Sequence, residues 1–88
     1  AAALKRQGVK AGVPDIVLSE PRGQYHGLYI ELKAGKNTTT KTQEKWLEHL
    51  TTAGYFTAVC YGWQKAAELI ESYLLHQESL PESGATIM

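Results

Sequence analysis

Two short apolar runs, VPDIVLS (residues 13–19) and GLYIELK (27–33), flank the segment EPRGQYH (20–26). No other feature restricts the possible folds of this chain so strongly. Pro21 and Gly23 punctuate the middle segment, so the runs read as the two strands of a hairpin. With the turn centred on Gly23, the numbers of opposed residues sum to 46. Ile16 then faces Ile30, Val17 faces Tyr29, Leu18 faces Leu28 and Asp15 faces Glu31. Side chains alternate between the two faces of a strand. One face therefore carries Ile16, Leu18, Leu28, Ile30 and Leu32, and is a core. The other carries Asp15, Val17, Tyr29, Glu31 and Lys33. The pairing holds only without a bulge, because a one-residue slip exchanges the faces.

The second face places two carboxylates across one ladder, with β-carbons about 5 Å apart. Like charges in that position are destabilising unless something offsets them. A hard divalent cation does so: Mg²⁺ and Mn²⁺ prefer oxygen ligands and take carboxylates together with waters and phosphate oxygens. Lys33 follows Glu31 on the same face and brings an ammonium to the same point. The three residues also fit a simpler arrangement, a Glu–Lys surface pair beside a solvated Asp. Spacing alone leaves both open.

Further along, AGKNTTT (34–40) is a polar loop, and Thr38, Thr39 or Thr40 is placed to cap a helix over residues 40–53 that Gly54 ends. Trp46, Leu47, Leu50 and Ala53 form its apolar stripe. YFTAVCY (55–61) reads as a third strand, broken by Gly62. WQKAAELIESYLL (63–75) reads as a second helix with Trp63, Ala66, Ala67, Leu69, Ile70, Tyr73 and Leu74 as its apolar residues, so that Trp46 and Trp63 are both assigned to the core. At the other end, AAALKRQG (1–8) reads as the end of a helix stopped by Gly8, with native residues expected before it. HQESLPESGATIM (76–88) has no period and reads as a flexible tail. The expected fold is α/β: a small mixed sheet of about three strands (hairpin, helix crossover, third strand) flanked by helices, with one domain over residues 1–75 and the tail over 76–88.

The chain has 88 residues, enough for one small domain with a marginal core. No apolar run approaches the roughly 20 residues that span a bilayer, and no signal-peptide pattern is present, so no membrane partner is expected. Cys60 is the lone cysteine. It builds no disulfide framework, lies among apolar strand residues, and fits a reducing compartment. Net charge is zero but polarised: residues 1–41 are +4 and residues 42–88 are −4. A basic half that also holds the charged strand suggests a surface for a polyanion. His26, His49 and His76 show no metal-ligand spacing, and there is no Gly-rich phosphate loop or Cys–His grouping.

The strings KAGVPDIVLSEPRGQYHGLYIELKAGKN and TQEKWLEHLTTAGY, with Pro14-Asp15 followed by Glu31-Leu32-Lys33, resemble the VRR-NUC (virus-type replication-repair nuclease) branch of the PD-(D/E)xK nuclease superfamily over roughly residues 4–75. The resemblance implies a restriction-endonuclease-like core and a metal-dependent DNA endonuclease that is selective for branched or junction DNA. It implies that Asp15 and Glu31 bind Mg²⁺ or Mn²⁺ with the main-chain carbonyl of Leu32. By the same resemblance, Lys33 positions or activates the attacking water and stabilises transition-state charge, and Gln43 lines the site. A homodimer similar to Holliday-junction resolvases, in the cytoplasm of a bacterial or phage-infected cell, is implied as well. Lys5, Arg6, Lys10, Lys36 and Lys41 flank the motif and are candidates for phosphate-backbone contacts with DNA. The family also carries a glutamate on the helix before the first strand, whereas residues 1–10 contain no acid. The alternative is therefore a catalytically inactive DNA-binding module of the same fold.

Overall fold

The computed structural model describes residues 4–6 by their backbone and residues 11–88 with their side chains. The elements are β1 (Leu4–Arg6), β2 (Ile16–Leu18), β3 (Leu28–Lys33), α1 (Lys41–Thr52), β4 (Phe56–Tyr61), α2 (Trp63–Leu75), a single 3₁₀ turn (Gln77–Ser79) and β5 (Ala85–Ile87). The strands form one sheet in the order β1-β2-β3-β4-β5. The pairs β1–β2 and β2–β3 are antiparallel, while β3–β4 and β4–β5 are parallel.

The hairpin register is Ile16↔Ile30, Val17↔Tyr29 and Leu18↔Leu28, which sets Ile16, Leu18, Leu28 and Ile30 together in one core cluster and leaves Val17 and Tyr29 on the other face. The turn differs from a simple centre at Gly23. Arg22 and Tyr25 exchange both backbone hydrogen bonds, at 3.1 and 2.9 Å, so Gly23 and Gln24 form the tip. Gly23 has φ +57°, a conformation that costs little without a Cβ. Residues 19–21 on one arm then lie against residues 26 and 27 on the other. The extra residue is absorbed next to the turn, and the ladder leading to Asp15 keeps its register.

The two helices cover opposite faces of the sheet. Beneath α2, the buried residues Ile16, Leu18, Leu28, Ile30, Phe56, Ala58 and Cys60 pack against Ala66, Leu69 and Tyr73. The rings of Tyr25 and Phe56 meet edge-to-face at 5.1 Å. Tyr73 is fully buried, and its hydroxyl donates to the Glu20 carbonyl at 2.8 Å, tying α2 to the hairpin connection. On the other face α1 places Leu50 in the core, and Thr51 shares a 2.6 Å hydrogen bond with the fully buried Thr57. Cys60 is a buried free thiol whose pKa burial pushes up to about 11. It behaves as a small hydrophobe.

Four expectations are corrected. Leu4–Arg6 is a strand rather than the end of a helix, with Leu4 opposite Leu18 at the edge of the hairpin. Three residues of LKR have no helical period of their own, and pairing with an exposed edge decides their state. The rest of the expected helix, residues 1–3 and 7–8, lies outside the described residues. The sheet has five strands, not about three. Residues 76–88 are not a loose tail, because Ala85, Thr86 and Ile87 pair with Ala58, Val59 and Cys60. The Ser83 hydroxyl accepts from the Thr57 N–H at 3.0 Å and anchors the approach. Trp63 is 57% exposed rather than core, since it occupies the first position of α2, beyond the sheet's edge of contact. Trp46 is half-buried on α1. Among the described residues no helix is long and apolar enough to cross a membrane.

Candidate active site

Strand β3 carries its charges toward the α1 side at its C-terminal end. Glu31 follows Ile30 in the alternating pattern, so it lies on the face opposite the α2 core and beneath the start of α1. It is only 3% exposed. Lys33, two residues on, has a side chain 11% exposed, with Nζ 3.3 Å from Glu31 Oε2. An exposed ion network is thereby excluded, because both partners are largely removed from water.

Asp15 stands immediately before β2, after the fully buried Pro14. Proline has no N–H to leave unsatisfied at a buried strand entrance. The Asp15 carboxylate reaches across to β3, where Oδ2 accepts the Leu32 N–H at 2.8 Å. Leu32 thus presents its main chain to Asp15, while Lys33, its neighbour, turns its carbonyl toward β4 and accepts from Gly62 N–H at 3.0 Å.

The first turn of α1 completes the cluster. Thr40 caps the helix in a reciprocal box: its hydroxyl accepts from the Gln43 N–H at 3.1 Å, and its own N–H donates to Gln43 Oε1 at 2.8 Å. Gln43 Oε1 also accepts from Lys33 Nζ at 2.8 Å, and Gln43 Nε2 donates to Glu31 Oε2 at 2.8 Å. The spacing T-x-x-Q is a legible capping-box signature. It is the signal in the sequence that singles out Thr40 from its threonine neighbours and ties Gln43 to the helix start.

The electrostatics follow from this packing. The Glu31 carboxyl is raised above its ordinary value of 4.5, first by burial and then by the charge of Asp15, with Lys33 offsetting part of the effect. Oε2 holds both donors, Gln43 and Lys33. Oε1 is buried with no hydrogen-bond partner among the described residues. A buried acceptor without a donor is costly, and more so when charged. A divalent cation would supply what that oxygen lacks, so this pair of carboxylates fits an oxygen-preferring metal. Among the described residues no group of three or more His, Cys, Asp or Glu side chains could hold an ion alone. Any site here rests on two carboxylates completed by main-chain oxygen, water or substrate.

The remaining predicted residues are distributed as follows. Lys36 lies exposed in the Ala34–Asn37 turn that follows β3, and Tyr61 donates from β4 to the Asn37 carbonyl. Lys41 is the exposed first residue of α1. Lys5 and Arg6 belong to β1, opposite Val17 and Ile16, and their side chains lie outside the described residues, as does Lys10 entirely. Tyr29 packs edge-to-face on Tyr55 at 5.2 Å and takes no part in the cluster's hydrogen bonds.

Comparison with known proteins bears on the family and the fold. A family model described as the VRR-NUC domain matches residues 1–64. A solved structure described as a VRR_NUC domain protein is similar at 35% identity and a TM-score of 0.71, covering 90% of this chain and 60% of that one. The chain therefore spans about 60% of the length of that relative. No curated protein matches the sequence.

Proposed function

The chain belongs to the VRR-NUC family, a family of nuclease-type domains, and from that premise we propose that it hydrolyses DNA phosphodiester bonds with a bound divalent metal ion. The observation that carries this reading is Glu31 itself: a buried carboxylate beside Asp15, with one oxygen held by Gln43 and Lys33 and the other left without a partner. Asp15, Glu31 and the Leu32 carbonyl would hold Mg²⁺ or Mn²⁺. Such an ion, when bound, polarises the scissile phosphate and lowers the pKa of a bound water.

The chain's own residues do the rest. Lys33, steadied by Gln43 Oε1, keeps its ammonium beside the carboxylates. There it orients the attacking water and stabilises negative charge growing on the phosphoryl oxygens. Gln43 keeps Glu31 in place. Lys36 and Lys41 flank the cluster on the exposed loop and helix start and contact the phosphate backbone, which gives affinity without reading sequence. Lys5, Arg6 and Lys10 extend the same basic half. Branched DNA is the proposed substrate, a homodimer the proposed assembly and the cytoplasm the proposed location, all three by kinship with resolvase-like members.

The test is cleavage of plasmid and four-way-junction DNA with Mg²⁺ or Mn²⁺, for the native chain and for Lys33→Ala. Metal-dependent cutting by the native chain that falls by about 10²-fold or more in the variant supports the proposal. DNA binding without cutting under either metal sinks it in favour of the inactive binding module.

A further inference from the structure

We infer that Thr40 is a positioning residue of the site: through the capping box it holds the Gln43 amide in the one sense that donates to Glu31 and leaves Glu31 Oε1 open for a cation. This rests on the metal-site reading above. An amide can be turned either way round, and its neighbours select the orientation. Here Gln43 Oε1 meets two donors, the Thr40 N–H and Lys33 Nζ, both at 2.8 Å. Turning the amide over would set its NH₂ against both of these donors and its oxygen against the Glu31 carboxylate. The Thr40 side of the box, together with Lys33, therefore sets which Gln43 atom faces Glu31.

The consequence reaches the carboxylate. With Gln43 Nε2 at 2.8 Å and Lys33 Nζ at 3.3 Å both on Oε2, the two oxygens of Glu31 are inequivalent. Oε2 is the protein's oxygen, and Oε1 is the one without a partner. Among the described residues the Thr40 side chain makes its hydrogen bond to the Gln43 N–H and none to Glu31 or Lys33. Its hydroxyl holds the Gln43 N–H at 3.1 Å, which keeps the Thr40 N–H within reach of Oε1 of the same glutamine. The start of α1 and the metal-facing oxygen are thus parts of one hydrogen-bonded unit. Partners that orient metal ligands in this way are worth roughly 10–100-fold in metal affinity.

Thr40→Val, Thr40→Ser and Thr51→Val separate this role from plain helix stability. Thr51→Val loosens the same helix by removing its contact with Thr57, far from the cluster. Two readouts are taken: the side-chain amide signal of Gln43 in ¹⁵N NMR of the metal-free protein, assigned by its loss in Gln43→Glu, and the affinity for Mn²⁺ by titration calorimetry. Thr40→Val is expected to shift the Gln43 amide signal towards that of a free glutamine and to weaken Mn²⁺ binding at least tenfold. Thr40→Ser restores both, and Thr51→Val changes neither while lowering the melting temperature. An unmoved Gln43 signal in Thr40→Val overturns the inference, as does Mn²⁺ affinity equal to that of Thr51→Val. If the native chain binds no Mn²⁺ yet its Gln43 signal responds to Thr40 alone, the metal-site reading fails while Thr40's hold on the amide stands.

Discussion

The Leu32 N–H donates to Asp15 Oδ2 at 2.8 Å, so a side chain just outside β2 takes the place that a main-chain carbonyl occupies in a regular ladder. The hairpin is closed at this end by a carboxylate. Asp15 is held to β3 and is half-buried, while Glu31 on that strand is buried. The two acids of the cluster thus have different surroundings.

Asp15→Asn keeps an acceptor for the Leu32 N–H but removes the charge, whereas Asp15→Ala removes both. Hydrogen bonds to charged groups are worth about 1.5–3 kcal/mol. Asp15→Ala is expected to lose about 2 kcal/mol of stability in urea unfolding, on the scale of that bond. Asp15→Asn loses little, yet both variants lose metal-dependent cleavage. Cleavage retained by Asp15→Asn would remove Asp15 from the metal site.

Glu31 has a raised pKa in the folded chain and the ordinary one, 4.5, when unfolded. Between those values the native state binds more protons than the unfolded state, so stability falls as pH rises through this interval. At neutral pH, in chelator, Glu31→Gln is expected to melt at a higher temperature than the native protein, with Lys33 still paired to Gln43 Oε1. The difference closes below pH 4.5, where Glu31 is neutral in both states. If the site holds Mn²⁺, the ion at 100 times its Kd is expected to stabilise the native chain by about 2.7 kcal/mol and to leave Glu31→Gln unchanged. Scanning calorimetry with and without metal checks both signs.

Gly12 has φ +84°, and a Cβ there would stand 2.4 Å from Thr42 Cγ2 and 2.9 Å from Trp46 Cδ1. The loop that leads into Pro14-Asp15 therefore rests directly on α1. Gly12→Ala adds backbone strain of about 1–2 kcal/mol and overpacking of similar size. A fall in melting temperature of roughly 10 °C is expected for a domain of this size. An unchanged melting curve would show that the loop does not pack there.

Lys36 and Lys41 are both exposed beside the cluster. If each contacts a phosphate, Lys36→Ala and Lys41→Ala each reduce the slope of log K against log salt by about one. Affinity then falls alike for unrelated DNA sequences. Fluorescence anisotropy across a salt series measures this. An unaltered slope places both lysines off the DNA path.

Most of the central fold was legible in the residues. Period-two alternation in VPDIVLS and GLYIELK assigns the faces, and placing the turn at Gly23 makes opposed residues sum to 46, as the observed pairs do. The capping threonines, Gly54 and Gly62 bound the first helix and the third strand within a residue or two. The periphery was not legible. LKR and ATI are three-residue strands without a pattern of their own, and each exists because a neighbouring edge, β2 or β4, offers unpaired backbone groups. The position of Trp63 likewise depends on where the sheet ends beneath α2, which helical periodicity does not encode.

By itself the sequence determined which residues share the apolar face and which the charged face, because alternation leaves only one way to bury five apolar side chains together. It also brought Asp15, Glu31 and Lys33 to one end of that face. Only the tertiary structure decided that α1 closes over them, burying Glu31 to 3% exposure and linking it through Gln43 to Lys33 and Thr40. Desolvation and the direction of an amide are set by what packs above a strand, and that depends on residues distant from it along the chain.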